Sequence, residues 1–168
     1  ETFAALQSGA IDAVEWVGPT ADLALGFHKI AKYYYWPGTS EPSVSGQVMV
    51  SKEKYEALPK DLQEIIKVVA EWEYSQILAD YYAPSIPALT ELRAKHGVQL
   101  RQVPREVLIA MGKASGEVMQ EVLDKADANS KEVVQSYLKF RKSILDYSRI
   151  TDLAYMQARL LDFPYPTG

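Results

Sequence analysis

Apolar residues at helical spacing predict that most of the chain is α-helical. The predicted helices before the last one cover residues 1–8, 21–31, 60–82, 85–95 and 104 to about 127. Gly9 ends the first of them, and Gly97 ends the fourth. Pro84 and Pro87 interrupt the third after about residue 82, because proline lacks the N–H that a helix interior needs. Pro104 suits the first position of the fifth helix.

One long helix is predicted to close the chain. Asn129 and Glu132 have the spacing of a capping box, and no glycine or proline follows until Pro164. A helix over 130–162 would be about 50 Å long, whereas a compact body of this size is about 40 Å across. Its apolar positions continue over the overhanging part: Ile144, Ile150, Leu153, Met156, Leu160 and Leu161. We therefore expect this helix to mediate dimerisation, unless a bend at 147–149 returns its last turns to the same subunit.

Short apolar or aromatic runs predict strands over residues 11–17, 32–36 and 46–51, and a weak alternation of side chains predicts a strand over 98–103. Four short strands among so many helices make a thin sheet. Either the sheet is completed by sequence outside this chain, or the fold is mainly helical. No capping residue precedes Glu1, so we expect upstream residues that complete the first helix.

Composition narrows the classes of function. The 168 residues suit one domain, of which 48% are hydrophobic. The net charge is −4 and the 18 basic residues are scattered, which argues against nucleic acid as a partner. No apolar run approaches the roughly 20 residues of a membrane span, and the absence of cysteine excludes disulfides and thiolate chemistry. We expect a soluble protein.

Residues for catalysis are sparse. His28 and His96 each stand alone in the sequence, and the paired acids fall on predicted helix surfaces where they would be solvated. We therefore expect a ligand-binding protein and not an enzyme.

Two segments carry candidate binding chemistry. In residues 11–19 an apolar run delivers Glu15 and Trp16 to a Gly-Pro break, and ligands collect at the carboxyl ends of strands in open α/β sheets. A surface acid beside a core tryptophan would explain the same residues. In residues 33–42, four aromatic rings including Tyr35 and Trp36 precede Glu41. Such rings can enclose a ligand while donating hydrogen bonds, although strand alternation turns about half of them towards a core.

These segments resemble the solute-binding proteins of tripartite ATP-independent periplasmic (TRAP) transporters, in particular the DctP-type group that binds 2-oxo and related monocarboxylic acids. The resemblance rests on residues 5–13, on 15–19, on the run from Tyr33 to Pro42, and on Ala57-Leu58-Pro59. It extends more loosely through the long helices.

The resemblance implies an α/β, periplasmic-binding-protein-like fold of two lobes (type II-like), with this chain as its C-terminal portion. Residues 1–14 and about 51–128 would form mainly one lobe, and about 15–50 the hinge crossing and the other lobe. Residues 129–168 would form the C-terminal helix. The family's carboxylate-clamping arginine would lie upstream of Glu1, since no arginine of this chain matches it in context.

The resemblance also implies a ligand site and partners. Glu15, Trp16, Tyr35, Trp36 and Glu41 would line the cleft. The carboxylates of Glu15 and Glu41 and the main-chain carbonyl of Trp16 would hold a cation such as Na⁺ or Ca²⁺ that bridges to the ligand. The protein would capture a 2-oxo or 2-hydroxy monocarboxylate in the periplasm, deliver it to the TRAP membrane subunits, and form a homodimer.

Two other functions stay open from the residues alone. The first is a helical protein-interaction module without a small-molecule ligand, whose long last helix is its working part. The second is a carboxylate-dependent lyase or hydrolase, which would need an acid with a displaced pKa.

Overall fold

The computed structural model describes residues 1–40 and 46–166. Inter-residue contacts divide the chain into two compact units, Glu1–Leu108 and Ile109–Gly168, which are described separately. The helices are α1 Thr2–Ser8, α2 Pro19–Leu25, α3 Lys52–Glu56, α4 Lys60–Ala94, α5 Arg105–Lys125, α6 Ala128–Ile150 and α7 Asp152–Arg159. Among the described helices, none combines the length and apolar content that crossing a membrane requires.

Two of the predicted strands form and pair with each other. β1 (Tyr33–Trp36) runs parallel to β2 (Gln99–Gln102), with Tyr33 opposite Gln99. The ladder continues at both ends, because the Gln99 N–H donates to the Lys32 carbonyl and the Val103 N–H to the Trp36 carbonyl, each at 2.8 Å. The parallel pair joins two parts of the first unit that are distant in sequence.

The strand predictions for residues 11–17 and 46–51 are wrong for the described chain. Both stretches lack regular secondary structure. A strand is defined by its hydrogen bonds to a neighbour, and within the described residues neither stretch has a partner strand. The apolar side chains of residues 46–51 are accordingly exposed to solvent, with Met49 89% exposed.

A single helix, α4, replaces the two helices predicted over 60–82 and 85–95. Both prolines lie inside it. Each removes one backbone donor, which leaves the carbonyls of Asp80 and Ala83 without their usual helical partners. The helix continues because packing stabilises this stretch: Ser85 and Ala88 are buried on the face against which α2 packs.

Glycines end the helices near the start of the chain. Gly9 takes the left-handed conformation after α1 (φ 76°), as predicted. Gly26 does the same after α2, so that helix stops before Ala31, and a 3₁₀ turn over Phe27–Lys29 follows. This turn brings Phe27 into the core.

The described core of the first unit is small. Its buried apolar side chains are Phe27, Ala88, Leu92 and Val98. Leu92 is 1% exposed, and the N–H of Val98 donates to the Leu92 carbonyl at 3.0 Å, which ties the end of α4 to the approach to β2. The core therefore lies where α2, the end of α4 and the 3₁₀ turn meet.

The second unit contains most of α5, together with α6 and α7. The cap of α6 is Asp127, whose side chain accepts from the Ser130 N–H at 2.9 Å, and not Asn129 as the capping-box spacing suggested. The single long helix predicted over 130–162 is also wrong, because Thr151 leaves helical geometry (φ −108°, ψ −91°) and separates α6 from α7. The Tyr147 carbonyl accepts from both the Thr151 N–H, at 3.1 Å, and the Thr151 hydroxyl, at 2.9 Å, where the helix stops.

Candidate ligand-binding site

The segment between α1 and α2 presents Glu15 and Trp16 at the surface. The Trp16 ring packs against Phe27, with centroids 6.2 Å apart, and Phe27 in turn packs against Phe3 at 6.0 Å. This aromatic cluster fixes one side of the indole, yet Trp16 remains 44% exposed and Glu15 is exposed. Both side chains are thus available to a ligand on a supported backbone.

A glycine and a proline turn this segment into α2. Gly18 has φ 146° and ψ −176°, a conformation that is essentially restricted to glycine. Pro19 follows at the first position of the helix, where its missing N–H has no consequence. The Gly-Pro break that the sequence indicated is therefore the start of α2.

Side chains from α4 hold both sides of this break. The Tyr81 hydroxyl donates to the Val17 carbonyl at 2.9 Å. One turn further along α4, the hydroxyls of Ser85 and Thr20 are hydrogen-bonded at 3.1 Å. The sequence interpretation missed Tyr81 and Ser85, since only the folded chain brings residues about 65 positions apart into contact.

A buried carboxyl group, also missed from the sequence, lies close enough to Glu15 to interact with its charge. Asp22 is 8% exposed and accepts a 2.6 Å hydrogen bond from the Tyr34 hydroxyl through Oδ2, whereas its buried Oδ1 has no hydrogen-bond partner in the described chain. Burial raises the pKa of Asp22, the bond from Tyr34 opposes this rise, and the negative charge of Glu15 adds to it. Burial and the bond to Asp22 raise the pKa of Tyr34 strongly.

The aromatic strand β1 distributes its rings over two faces. Tyr34 points towards Asp22, and strand alternation places Trp36 on the same face. Tyr35 shares the opposite face with Tyr33, whose ring lies 5.2 Å from the Arg101 guanidinium. Trp36 and Tyr35 are both about half exposed. Of the predicted ligand residues, Trp36 thus shares the strand face of Tyr34, the tyrosine that interacts with the charge of Glu15. Tyr35 lies on the opposite face of the strand.

The predicted cation ligands lie partly within the described residues. Glu41 lies outside the described residues, and within the described ranges no three acids or histidines are grouped as metal ligands would be. The carbonyl oxygen of Trp16 receives no hydrogen bond from any described residue, whereas that of Val17 is taken by Tyr81. An open carbonyl beside an exposed carboxylate provides the oxygen ligands that a hard cation takes.

The two histidines, isolated in sequence, lie together in the fold. Their rings stack with centroids 3.9 Å apart, and His96 Nε2 lies 3.7 Å from a carboxylate oxygen of Glu91. Burial and the neighbouring His96 lower the pKa of His28. This pair connects the 3₁₀ turn to the end of α4.

Comparison with known proteins identifies relatives of this chain. Residues 1–126 match the family model of the bacterial extracellular solute-binding proteins, family 7 (DctP). The chain is 39% identical over 155 residues to the monocarboxylate 2-oxoacid-binding periplasmic protein of Nostoc sp. strain PCC 7120, a match that covers 92% of this chain and 42% of that protein.

A solved structure has the same fold. It is the TRAP transporter solute-binding protein from Bordetella bronchiseptica RB50, with a TM-score of 0.85, 34% identity, and coverage of 94% of this chain and 46% of that one. Its crystal contains a mixed-occupancy dimer, with copurified calcium and picolinate in one active site and an apo second site. The present chain spans less than half the length of either relative. The predicted α/β, periplasmic-binding-protein-like fold class is confirmed by this likeness.

Proposed function

Because the chain belongs to the bacterial extracellular solute-binding protein family 7, we propose that the protein captures a small carboxylic acid in the periplasm for TRAP-type import. The ligand class we propose is a 2-oxo or 2-hydroxy monocarboxylate. The Nostoc relative is a monocarboxylate 2-oxoacid-binding periplasmic protein, and the Bordetella protein holds picolinate, also a monocarboxylate. The resemblance found in the sequence is thereby confirmed at the level of the family.

The observation that carries the proposal is the placement of Glu15 and Trp16. Both are exposed, on a backbone that Phe27 supports through the indole ring and Tyr81 through the Val17 carbonyl. A binding protein needs polar and aromatic groups that are accessible yet held in place before the ligand arrives, since ordering them on binding would cost affinity. Trp36 and Tyr35 on β1 and Glu41 are the further ligand residues that we propose.

The cation belongs to the same proposal. A Ca²⁺ or Na⁺ ion would be held by the carboxylate of Glu15, the main-chain carbonyl of Trp16 and the carboxylate of Glu41. It would supply positive charge between these acids and an anionic ligand, which otherwise repel each other. The calcium in the Bordetella structure supports this choice of ion class.

Binding of defined probes to the full-length protein tests the proposal. Native mass spectrometry of the protein as purified would reveal a retained acid or cation, and calorimetry with pyruvate, lactate and picolinate, with and without Ca²⁺, would measure affinities. We expect micromolar or tighter binding of at least one acid. Failure of all three to bind in either condition, with no retained ligand, would contradict the proposal.

A charge-matched pair of variants tests the site. Glu15→Gln should weaken acid binding by roughly 1 to 3 kcal/mol, the range for loss of a charge-assisted contact. Asp12→Asn is the control, because Asp12 is an exposed acid of the same segment. Equal affinities of the two variants would remove Glu15 from the site.

We also propose the lobe boundaries and the homodimer that the family resemblance implies: one lobe mainly from 1–14 and 51–128, and a crossing and second lobe from 15–50. Exposed apolar side chains of α6, α7 and the two residues that follow α7 support a subunit contact in the segment 129–168. They include Ile150, Leu153, Met156, Leu160 and Leu161.

A further inference from the structure

The backbone that carries Glu15 and Trp16 has little hydrogen bonding of its own. Residues 12–17 form neither helix nor strand. Among the hydrogen bonds of the described residues, the one that reaches this stretch of backbone is the bond from the Tyr81 hydroxyl to the Val17 carbonyl, at 2.9 Å. The peptide next to the proposed ligand carbonyl is thus anchored by a side chain of α4, 64 positions away.

The contact between Tyr81 and this segment is close, and it depends on the residue at position 18 as well as on the tyrosine. A Cβ atom at Gly18 would collide with the Tyr81 hydroxyl. The φ of 146° at Gly18 also excludes ordinary side chains there. Because Gly18 lacks a Cβ, the hydroxyl can reach the carbonyl of the preceding residue. Glycine at 18 and tyrosine at 81 therefore form a matched pair.

The hydrogen bond one turn further along α4 has a different target. Ser85 bonds to Thr20, which belongs to α2 and not to the segment that precedes it. The docking of α2 onto α4 thus has its own polar contact and its own buried residues, Ser85 and Ala88. Loss of the Tyr81 hydroxyl should consequently affect the segment before Gly18 more than the packing of α2.

We propose that Tyr81 is a positioning residue for ligand binding: its hydroxyl holds the Val17 carbonyl, and thereby sets the direction of the Trp16 carbonyl and the Glu15 side chain towards the ligand. This role rests on the proposed function, since it needs Glu15 and Trp16 to be the binding groups. Tyr81 acts through the backbone, because its hydroxyl is engaged with the Val17 carbonyl and not with a ligand.

Tyr81→Phe in the full-length protein removes the hydroxyl alone. Tyr82→Phe is the matched control, since that neighbouring ring is exposed and makes no described hydrogen bond. The first readout needs no ligand: in isotope-labelled protein, the carbonyl ¹³C resonance of Val17, observed through the Gly18 amide, should move upfield only in Tyr81→Phe, as for a carbonyl that loses its donor. The second readout is calorimetry with pyruvate and picolinate in the presence of Ca²⁺.

We expect Tyr81→Phe to weaken acid binding about threefold to tenfold, as for loss of one neutral hydrogen bond. Its thermal midpoint should fall below that of Tyr82→Phe only by the small amount that loss of one hydrogen bond causes, so that the variant stays folded in the binding assay. An unmoved Val17 resonance would overturn the proposal whatever the affinities. A moved resonance with unchanged affinity would show an anchor without a positioning role and would also overturn it. If the wild-type protein bound no acid, the proposed function would fail, and the positioning role would fall with it even if the resonance moved.

Discussion

Replacing Gly18 by alanine should destabilise the protein more than any other single-methyl addition at its described glycines. The backbone there has φ 146° and ψ −176°, and a Cβ would collide with the Tyr81 hydroxyl. Two separate costs therefore combine at one position. The first is backbone strain, and the second is displacement of Tyr81 from the Val17 carbonyl.

The magnitude follows from these two parts. Holding a residue other than glycine in this region of φ and ψ costs about 1 to 3 kcal/mol, and loss of the hydrogen bond adds about 0.5 to 1.5 kcal/mol. Gly18→Ala should thus lower the free energy of unfolding by roughly 2 to 4 kcal/mol. With a typical urea dependence of about 2 kcal/mol per molar, the midpoint should fall by about 1 to 2 M.

Urea unfolding of the full-length protein, followed by far-ultraviolet circular dichroism, measures this shift. Gly38→Ala is the matched control, because a Cβ at Gly38 meets nothing within 4 Å and its φ is not in the positive region. We expect the control to change stability by less than about 0.5 kcal/mol.

Combining Gly18→Ala with Tyr81→Phe separates the two costs. The hydroxyl is the atom nearest to the added Cβ, so the alanine should cost less in the phenylalanine background, by about the energy of the lost hydrogen bond. Equal midpoints for Gly18→Ala and Gly38→Ala would refute the reasoning, since neither strain nor collision would then exist.

Four further outcomes are expected. Leu92→Ala should cost about 2 to 5 kcal/mol, because Leu92 is 1% exposed, while Leu78→Ala at a 62% exposed position should cost far less in the same urea assay. Burial raises the pKa of Asp22 above its ordinary value of 3.8, so the folded state binds the carboxyl proton more tightly than the unfolded state, and stability falls as the pH rises above 3.8. Asp22→Asn should lack this fall when urea midpoints are compared at about pH 4 and about pH 7. Asp127 accepts from a backbone N–H, which lowers its pKa; an NMR titration should give a value below 3.8, and stability from this cap should be lost as pH falls through that value. Truncation of the full-length protein after Asp146, which removes the end of α6 and all of α7, should convert the dimer to a monomer in light scattering. A monomeric parent protein or a dimeric truncated protein would exclude this C-terminal segment as the dimer contact.

Local sequence patterns predicted three of the helices closely and two of the four strands. The helices over 1–8, 60–82 and 104–127 were found from apolar periodicity and from residues that begin or end helices. The strand at 33–36 was predicted from an aromatic run that Pro37 and Gly38 close, and the strand at 99–102 from a weak alternation of side chains between Gly97 and Pro104. The run at 11–17 has the same character, but a strand also needs a neighbour, which no local pattern reports.

Where the predictions of helix ends were wrong, tertiary contacts or a single side chain decided the outcome. α4 passes through Pro84 and Pro87 because its inner face is packed against α2. The last helix breaks at Thr151 although no glycine or proline marks the place. Its hydroxyl bonds to the carbonyl four residues earlier, and many threonines inside helices do the same without ending them.

The candidate site shows the same division. Glu15 and Trp16 stay a prediction, made because an acid and an aromatic ring precede a Gly-Pro break; both side chains are exposed. Asp22, Tyr34 and Tyr81 were missed. Each is ordinary in its own sequence context, and each takes its importance from a contact across the fold.

The long sequence separation across the Gly18 break also bears on how the protein folds. Val17 and Tyr81 are 64 positions apart, and Thr20 and Ser85 are 65. Closing a flexible loop of that length costs about 4 kcal/mol of chain entropy, whereas the part of α4 before Pro84 can form locally on the microsecond scale. We therefore expect this part of α4 to be structured before Glu15 and Trp16 are in place, so that the binding segment is among the last parts of its unit to acquire native contacts during refolding.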